Sequence, residues 1–110
     1  MAYSGNFTRV TFVEDDRDTG GAALKVEGTS QDADDAQDIY VALPRAGELL
    51  MASVQNVTGA ADWSATFPQE NPPFEVGEPL IVVGMAILRS TNRPFFWAER
   101  FGITARTDPP

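Results

Sequence analysis

The sequence predicts an all-β fold: about seven antiparallel strands packed as two sheets in an immunoglobulin-like Greek-key sandwich. Three observations carry this expectation. Apolar and polar residues alternate over short stretches, clusters of Gly, Pro, Asn and Asp separate those stretches, and no long segment holds apolar residues at helical spacing. The best helical candidate, Ala33 to Leu43, fails because Asp34, Asp35 and Asp38 lack apolar partners at that spacing and the β-branched Ile39 and Val41 follow. At most a single helical turn fits near Asp32 to Gln37. A jelly roll or small β-barrel is the alternative packing of the same strands. With 110 residues, 43% hydrophobic and 22% charged, residues 1–110 are expected to form one domain with a full core.

The elements follow in order. Phe7 to Val13, rich in β-branched and aromatic residues, is the first strand, with Val10 and Phe12 on one face. After the acidic turn Asp15 to Gly21, Leu24 and Val26 alternate with Lys25 and Glu27 in the second. Ile39, Val41 and Leu43 share one face of the third, Tyr40 and Ala42 point the other way, and Pro44 closes it. Leu49 to Val57 supplies the fourth, where Leu50, Ala52 and Val54 alternate with Met51, Ser53 and Gln55. Trp63, Ala65 and Phe67 alternate with Ser64 and Thr66 in the fifth, which ends at Pro68.

Beyond the proline-rich turn Asn71 to Pro73, Leu80 to Leu88 is apolar on both parities, as befits a central strand covered on both faces or flanking a partner. Phe95 to Thr104 is the seventh strand. Phe95, Trp97, Phe101 and Ile103 there share parity with Glu99, so either Glu99 faces inward and pairs with an arginine, or a bulge near Ala98 to Arg100 changes the parity. The cost of burying an unpaired carboxylate favours the bulge. The expected core comprises Val10, Phe12, Leu24, Val26, Ile39, Val41 and Leu43 from the first three strands. Val54, Trp63, Ala65, Phe67, Val82, Trp97 and Ile103 complete it.

Composition narrows function by exclusion. Sixteen Asp and Glu against eight Lys and Arg give a net charge of −8, which disfavours a nucleic-acid partner held through phosphate contacts. Histidine and cysteine are both absent. Disulfides, Cys/His zinc sites, haem ligation through those residues, cysteine nucleophiles and imidazole bases are therefore excluded. Lys25 with Ser30 is the one conceivable nucleophile pair, and an exposed strand lysine that discourages edge pairing is the better account of Lys25. No apolar run reaches the length of a membrane-spanning helix, and no secretory signal opens the chain. With no cysteine to report a redox compartment, localisation stays open. The expectation is a protein that is not an enzyme.

The stretch Trp63, Ser64, Ala65, Thr66, Phe67, then a Pro/Gly loop, Phe74, Val76, Gly77 and Glu78, then Leu80 to Ala86, resembles the second half of bacterial immunoglobulin-like and fibronectin-type repeats. There a Trp-bearing strand, a loop ending in Gly and a long Val-rich strand occur in that order. The resemblance spans roughly residues 50–104. No Cys pair brackets Trp63 and no Tyr occupies Leu80 to Leu88, so the antibody-type hallmarks are missing. The resemblance implies a seven-stranded sandwich used as a structural, spacing or binding module, usually without catalysis.

Two acidic clusters stand out, Glu14, Asp15, Asp16 and Asp18 in one connection and Asp32, Asp34, Asp35 and Asp38 in the next. They read as solvated turns at opposite ends of the sandwich. The alternative reading gives the second cluster to calcium, although Gln37 stands where an EF-hand needs Gly and Leu43 where it needs Glu. Among the aromatics, Phe96 must point opposite to Phe95 and Trp97, and Tyr40 opposite to Ile39 and Val41. Tyr40 and Phe96 are thus the candidate binding residues on an outer face. The expected function is non-catalytic protein–protein assembly, with a second copy of the chain as partner. The alternative is a carbohydrate- or peptide-binding module, calcium-assisted if the acidic loop holds the ion.

Overall fold

The computed structural model describes residues 3–16, 21–54, 61–68 and 74–105, with backbone alone at 14–16 and 21. Its strands are β1 (Ser4–Asp16), β2 (Gly21–Gln31), β3 (Ala36–Arg45), β4 (Glu48–Val54), β5 (Asp62–Pro68), β6 (Pro79–Leu88), β7 (Pro94–Gly102) and β8 (Thr104–Ala105). One four-stranded sheet has the order β5-β2-β1-β8 and the other β4-β3-β6-β7. Every pairing is antiparallel except β1 with β8. The chain changes sheets after β2, β4, β5 and β7, which makes the all-β sandwich a Greek key as expected. A single 3₁₀ turn at Ala33–Asp35 interrupts the strands, and among the described residues no helix is long and apolar enough to cross a membrane.

Alternation places the core. Leu24, Val26, Ile39, Val41, Leu43, Val82, Ala65 and Phe67 turn inward from both sheets and are buried. Tyr3, Phe7, Ala36, Phe74, Leu80 and Ala86 join the same cluster, and Phe12 and Trp97 pack against it half-buried. Its centre is aromatic: Trp63 of β5 and Trp97 of β7 meet from opposite sheets at a centroid distance of 6.1 Å, with Phe7 against both. Each indole covers a glycine on the neighbouring strand, Gly28 beside Trp63 and Gly84 beside Trp97. Ser30 serves two polar ends in this interior, its hydroxyl meeting Tyr3 Oη at 2.7 Å and accepting the Trp63 Nε1–H at 3.0 Å, whereas the buried Trp97 Nε1–H has no partner among the described residues. Burial pushes the Tyr3 phenol pKa above its usual value, and the Ser30 bond partly opposes that.

Two strands differ from expectation. β1 starts at Ser4 rather than Phe7, and a register shift against β2 between Phe7 and Arg9 leaves Thr8 and Arg9 both exposed. In β7 the expected bulge is absent, because pairing with β6 runs unbroken from Pro94 to Gly102. Glu99 therefore keeps the parity of Trp97 and Phe101 and faces inward opposite Val82. No arginine neutralises it within the described ion pairs, which are Arg9–Glu27 and Arg45–Glu78. Position resolves the conflict. Being on an edge strand, Glu99 is only half-buried, so its carboxylate keeps contact with water while discouraging further strand addition. The chain leaves the sheet at Ile103, which is buried and anchored by Ile103 N–H to Glu78 C=O at 2.9 Å and Gly77 N–H to its own C=O at 2.7 Å. What reads as one strand to Thr104 is thus β7, a crossing residue, and the short β8.

The hairpins have local causes. β3 and β4 join through Ala46 and Gly47, both at positive φ (52° and 80°), the backbone that a two-residue turn of type I′ demands. At the same end Arg45 donates Nε–H and Nη2–H to the two Glu78 carboxylate oxygens at 2.7 and 3.0 Å, and its guanidinium lies 4.5 Å from the Phe74 ring centre. The Arg45 bonds hold the Glu78 carboxyl below its ordinary pKa.

Candidate binding face

The two sheets differ in what they show to water. On the outside of β5-β2-β1-β8, Lys25, Glu27, Thr29, Ser64 and Thr66 alternate with core residues, and Arg9 pairs with Glu27 at 2.7 Å. Over most of β2 and β5 this is the ordinary polar face of a sandwich, whereas Thr11, Val13 and Ala23 on the same outward parity are buried. The outside of β4-β3-β6-β7 is apolar. The inward parity Leu80, Val82, Ala86 of β6 is matched on the outward parity by Ile81, Val83, Met85 and Ile87.

Register assembles these residues into cross-strand rows. Ser53, Tyr40, Met85 and Phe96 form one row across β4, β3, β6 and β7. Met51, Ala42, Val83 and Ala98 form the next. Leu49 with Pro44 and Ile81 with Arg100 close one end of the face, and Asp38, Ile87 and Pro94 the other. Leu49, Met51, Ile81 and Phe96 are 60%, 59%, 46% and 62% exposed, large values for side chains of this kind. Tyr40, Val83 and Met85 lie half-buried among them. In a chain of net charge −8, these four rows carry only Asp38 and Arg100. Among the described residues nothing packs over this face.

The sequence-derived candidates fall as follows. Tyr40 and Phe96 both point away from the core and stand in the same row with Met85 between them. Met85, Ile81 and Val83 around them belong to the apolar run Leu80 to Leu88, which the sequence expects to flank a partner, whereas Leu49 and Met51 carry no such expectation. The row becomes visible only once the strand order is known. Asp32, Asp34, Asp35 and Asp38 do not converge: among the described residues no three metal-ligating side chains gather. Asp35 has a structural task instead. Its carboxylate accepts Ser90 N–H at 2.8 Å and the Ser90 hydroxyl at 2.7 Å, while its carbonyl accepts Arg89 N–H at 2.7 Å, which ties the β2–β3 connection to the β6–β7 turn. Asp32 starts the 3₁₀ turn in the left-handed region at φ 53°, and Asp38 belongs to the outer face. The side chains of Glu14, Asp15, Asp16 and Asp18 lie outside the described residues. Lys25 and Ser30, five apart on one strand, project to opposite faces, and Ser30 is buried.

No family model matches this chain, and no curated protein does.

Proposed function

We propose that the chain is a non-catalytic assembly module that self-associates through the outer face of β4-β3-β6-β7. One observation carries this reading: a central strand apolar on both parities whose outward residues, Ile81, Val83, Met85 and Ile87, have nothing over them among the described residues. Depletion of charge in an otherwise strongly acidic chain supports it, because interface centres lose charged residues before anything else. So does size. Four strands about 4.8 Å apart and four rows about 6.8 Å apart give a footprint of roughly 500 Å², so two copies bury about 1,000 Å², the lower bound for a specific interface.

The carbohydrate or peptide reading has less to stand on. Tyr40 and Phe96 are two strand spacings apart, about 10 Å, with the thioether of Met85 between them rather than a polar group to orient a sugar. Light scattering across a concentration series decides between them. Wild type is expected at twice 11.9 kDa, and Met85→Lys, at the middle of the face, at 11.9 kDa with the melting temperature of dilute wild-type monomer. A wild type that stays at 11.9 kDa throughout, or a Met85→Lys variant that associates as wild type does, overturns the assembly reading.

A further inference from the structure

Beyond self-association, we propose that a shallow cavity where β6 and β7 end binds a small carboxylic acid with an apolar body, held as its carboxylate by Arg100. The cavity has a volume of about 270 Å³ and is lined by Pro79, Leu80, Ile81, Arg100 and Phe101. Register explains the hollow. Ile81 pairs with Arg100 and Pro79 with Gly102, all on the outward parity, while Leu80 and Phe101 turn their side chains to the core and leave backbone between them. Gly102 supplies no wall, since a side chain there would meet nothing within 4 Å.

The lining selects the ligand. Arg100 is exposed and has no ion-pair or hydrogen-bond partner among the described residues, whereas Arg9 and Arg45 each hold a glutamate. An open guanidinium presents a planar fork of N–H donors, which a carboxylate matches with two parallel bonds. Beside it, Ile81 and the Pro79 ring gain by being covered with hydrocarbon and offer nothing to a hydrated ion. Phosphate and sulfate are disfavoured on that ground, and a net charge of −8 repels a dianion twice as strongly as a monoanion. Size completes the choice. At about 270 Å³ the cavity lies just under the roughly 300–1,000 Å³ of sites for drug-sized ligands, so a body of about six carbons fits and its affinity is modest. The site does not rest on the assembly reading, because Met85 lies four residues along β6 from Ile81, about 13 Å away.

The test is a titration of hexanoate into the isotope-labelled full chain, followed through its amide NMR shifts. Saturable shifts are expected at Leu80, Ile81 and Arg100 to Gly102, with a Kd on the order of 1 mM. Hexanol has the body without the charge and acetate the charge without the body. Each is expected to bind at least tenfold more weakly than hexanoate. Arg100→Gln should weaken hexanoate by about tenfold, and so should Gly102→Leu, which fills the open place at a position that has no positive φ. Both positions are exposed, so melting curves are expected to stay unchanged. Shifts that do not saturate, an Arg100→Gln variant that binds as wild type does, or hexanol that binds as tightly as hexanoate each overturn the proposal. Met85→Lys is expected to keep the wild-type constant. A tenfold loss there shows that binding depends on the associated face, and overturns the site as placed.

Discussion

The indole of Trp97 covers Gly84, its partner across the β6–β7 ladder, so closely that a methyl group on Gly84 would stand 2.3 Å from the ring. Trp63 and Gly28 repeat the relationship in the other sheet, at 2.4 Å. Glycine in a strand interior ordinarily weakens it. Here the missing side chain is the space that the indole fills.

Gly84→Ala and Gly28→Ala are therefore expected to destabilise the fold by about 1–3 kcal/mol each, the usual cost of overpacking a tight interior. Chemical denaturation reads this directly. A midpoint as high as wild type in either variant shows that the indole moves aside freely.

Trp97→Ala and Phe96→Ala, one residue apart, should separate stability from assembly. Trp97 packs against the core and contacts Tyr3, Phe7, Phe95 and Trp63, so its loss should cost about 3 kcal/mol. Phe96 is 62% exposed on the outer face, and its loss should change monomer stability by about 0.5 kcal/mol or less while weakening self-association. Thermal melting of dilute monomer together with light scattering checks both. Equal melting losses would place both rings in the core.

Acid should loosen the Arg45–Glu78 end of the sandwich. The Glu78 carboxyl is held below its unfolded value, so its contribution is complete above the unfolded carboxylate pKa of about 4.3 and is lost as pH falls through the lower folded value. Glu78→Gln removes that titration. Melting temperature against pH should fall less steeply below about pH 4 in this variant than in wild type. Tyr3 behaves in the opposite sense. Its folded pKa is raised, so its contribution is complete below the unfolded value of about 10 and is lost as pH rises through the folded one. Tyr3→Phe should flatten the alkaline limb, at the cost of the Ser30 bond.

The β3–β4 turn holds Ala46 at φ 52°, where an L-residue other than Asn or Gly is strained. Ala46→Asn makes the turn Asn-Gly, the pair that type I′ geometry favours, and is expected to stabilise by about 0.5–1 kcal/mol. A melting temperature unchanged or lowered in Ala46→Asn refutes the strain.

Some of this was legible in the sequence and some was not, for physical reasons. Trp63, Ala65 and Phe67 could be read as a strand to within a residue because alternation and Pro68 are local facts. The outward direction of Tyr40 and Phe96 followed from parity alone. Their sharing a row did not, because it depends on β6 lying between β3 and β7, a pairing across dozens of residues. Glu99 was misread for a related reason: local pattern treats an inward carboxylate as buried, whereas the edge position of β7 keeps it half in water. Tyr3 and Phe7 were missed as core because polar residues around them hide the start of β1. Gly28 and Gly84 did offer a signal, since glycine inside a strand often marks close approach of another group.

The placement of the tryptophans gives the molecule an intrinsic optical gauge. The chain has two, one carried by each sheet, with rings 6.1 Å apart and inclined by 64°. Indoles that close and that skewed couple their excited states, and the coupling gives a bisignate band in far-ultraviolet circular dichroism. The band reports on the separation of the two sheets, and the spectrum of a Trp63→Phe variant separates it from the overlapping backbone signal of the strands. A state in which the strands persist while the sheets come apart would keep the β spectrum and lose the couplet, so one instrument can time the two events separately.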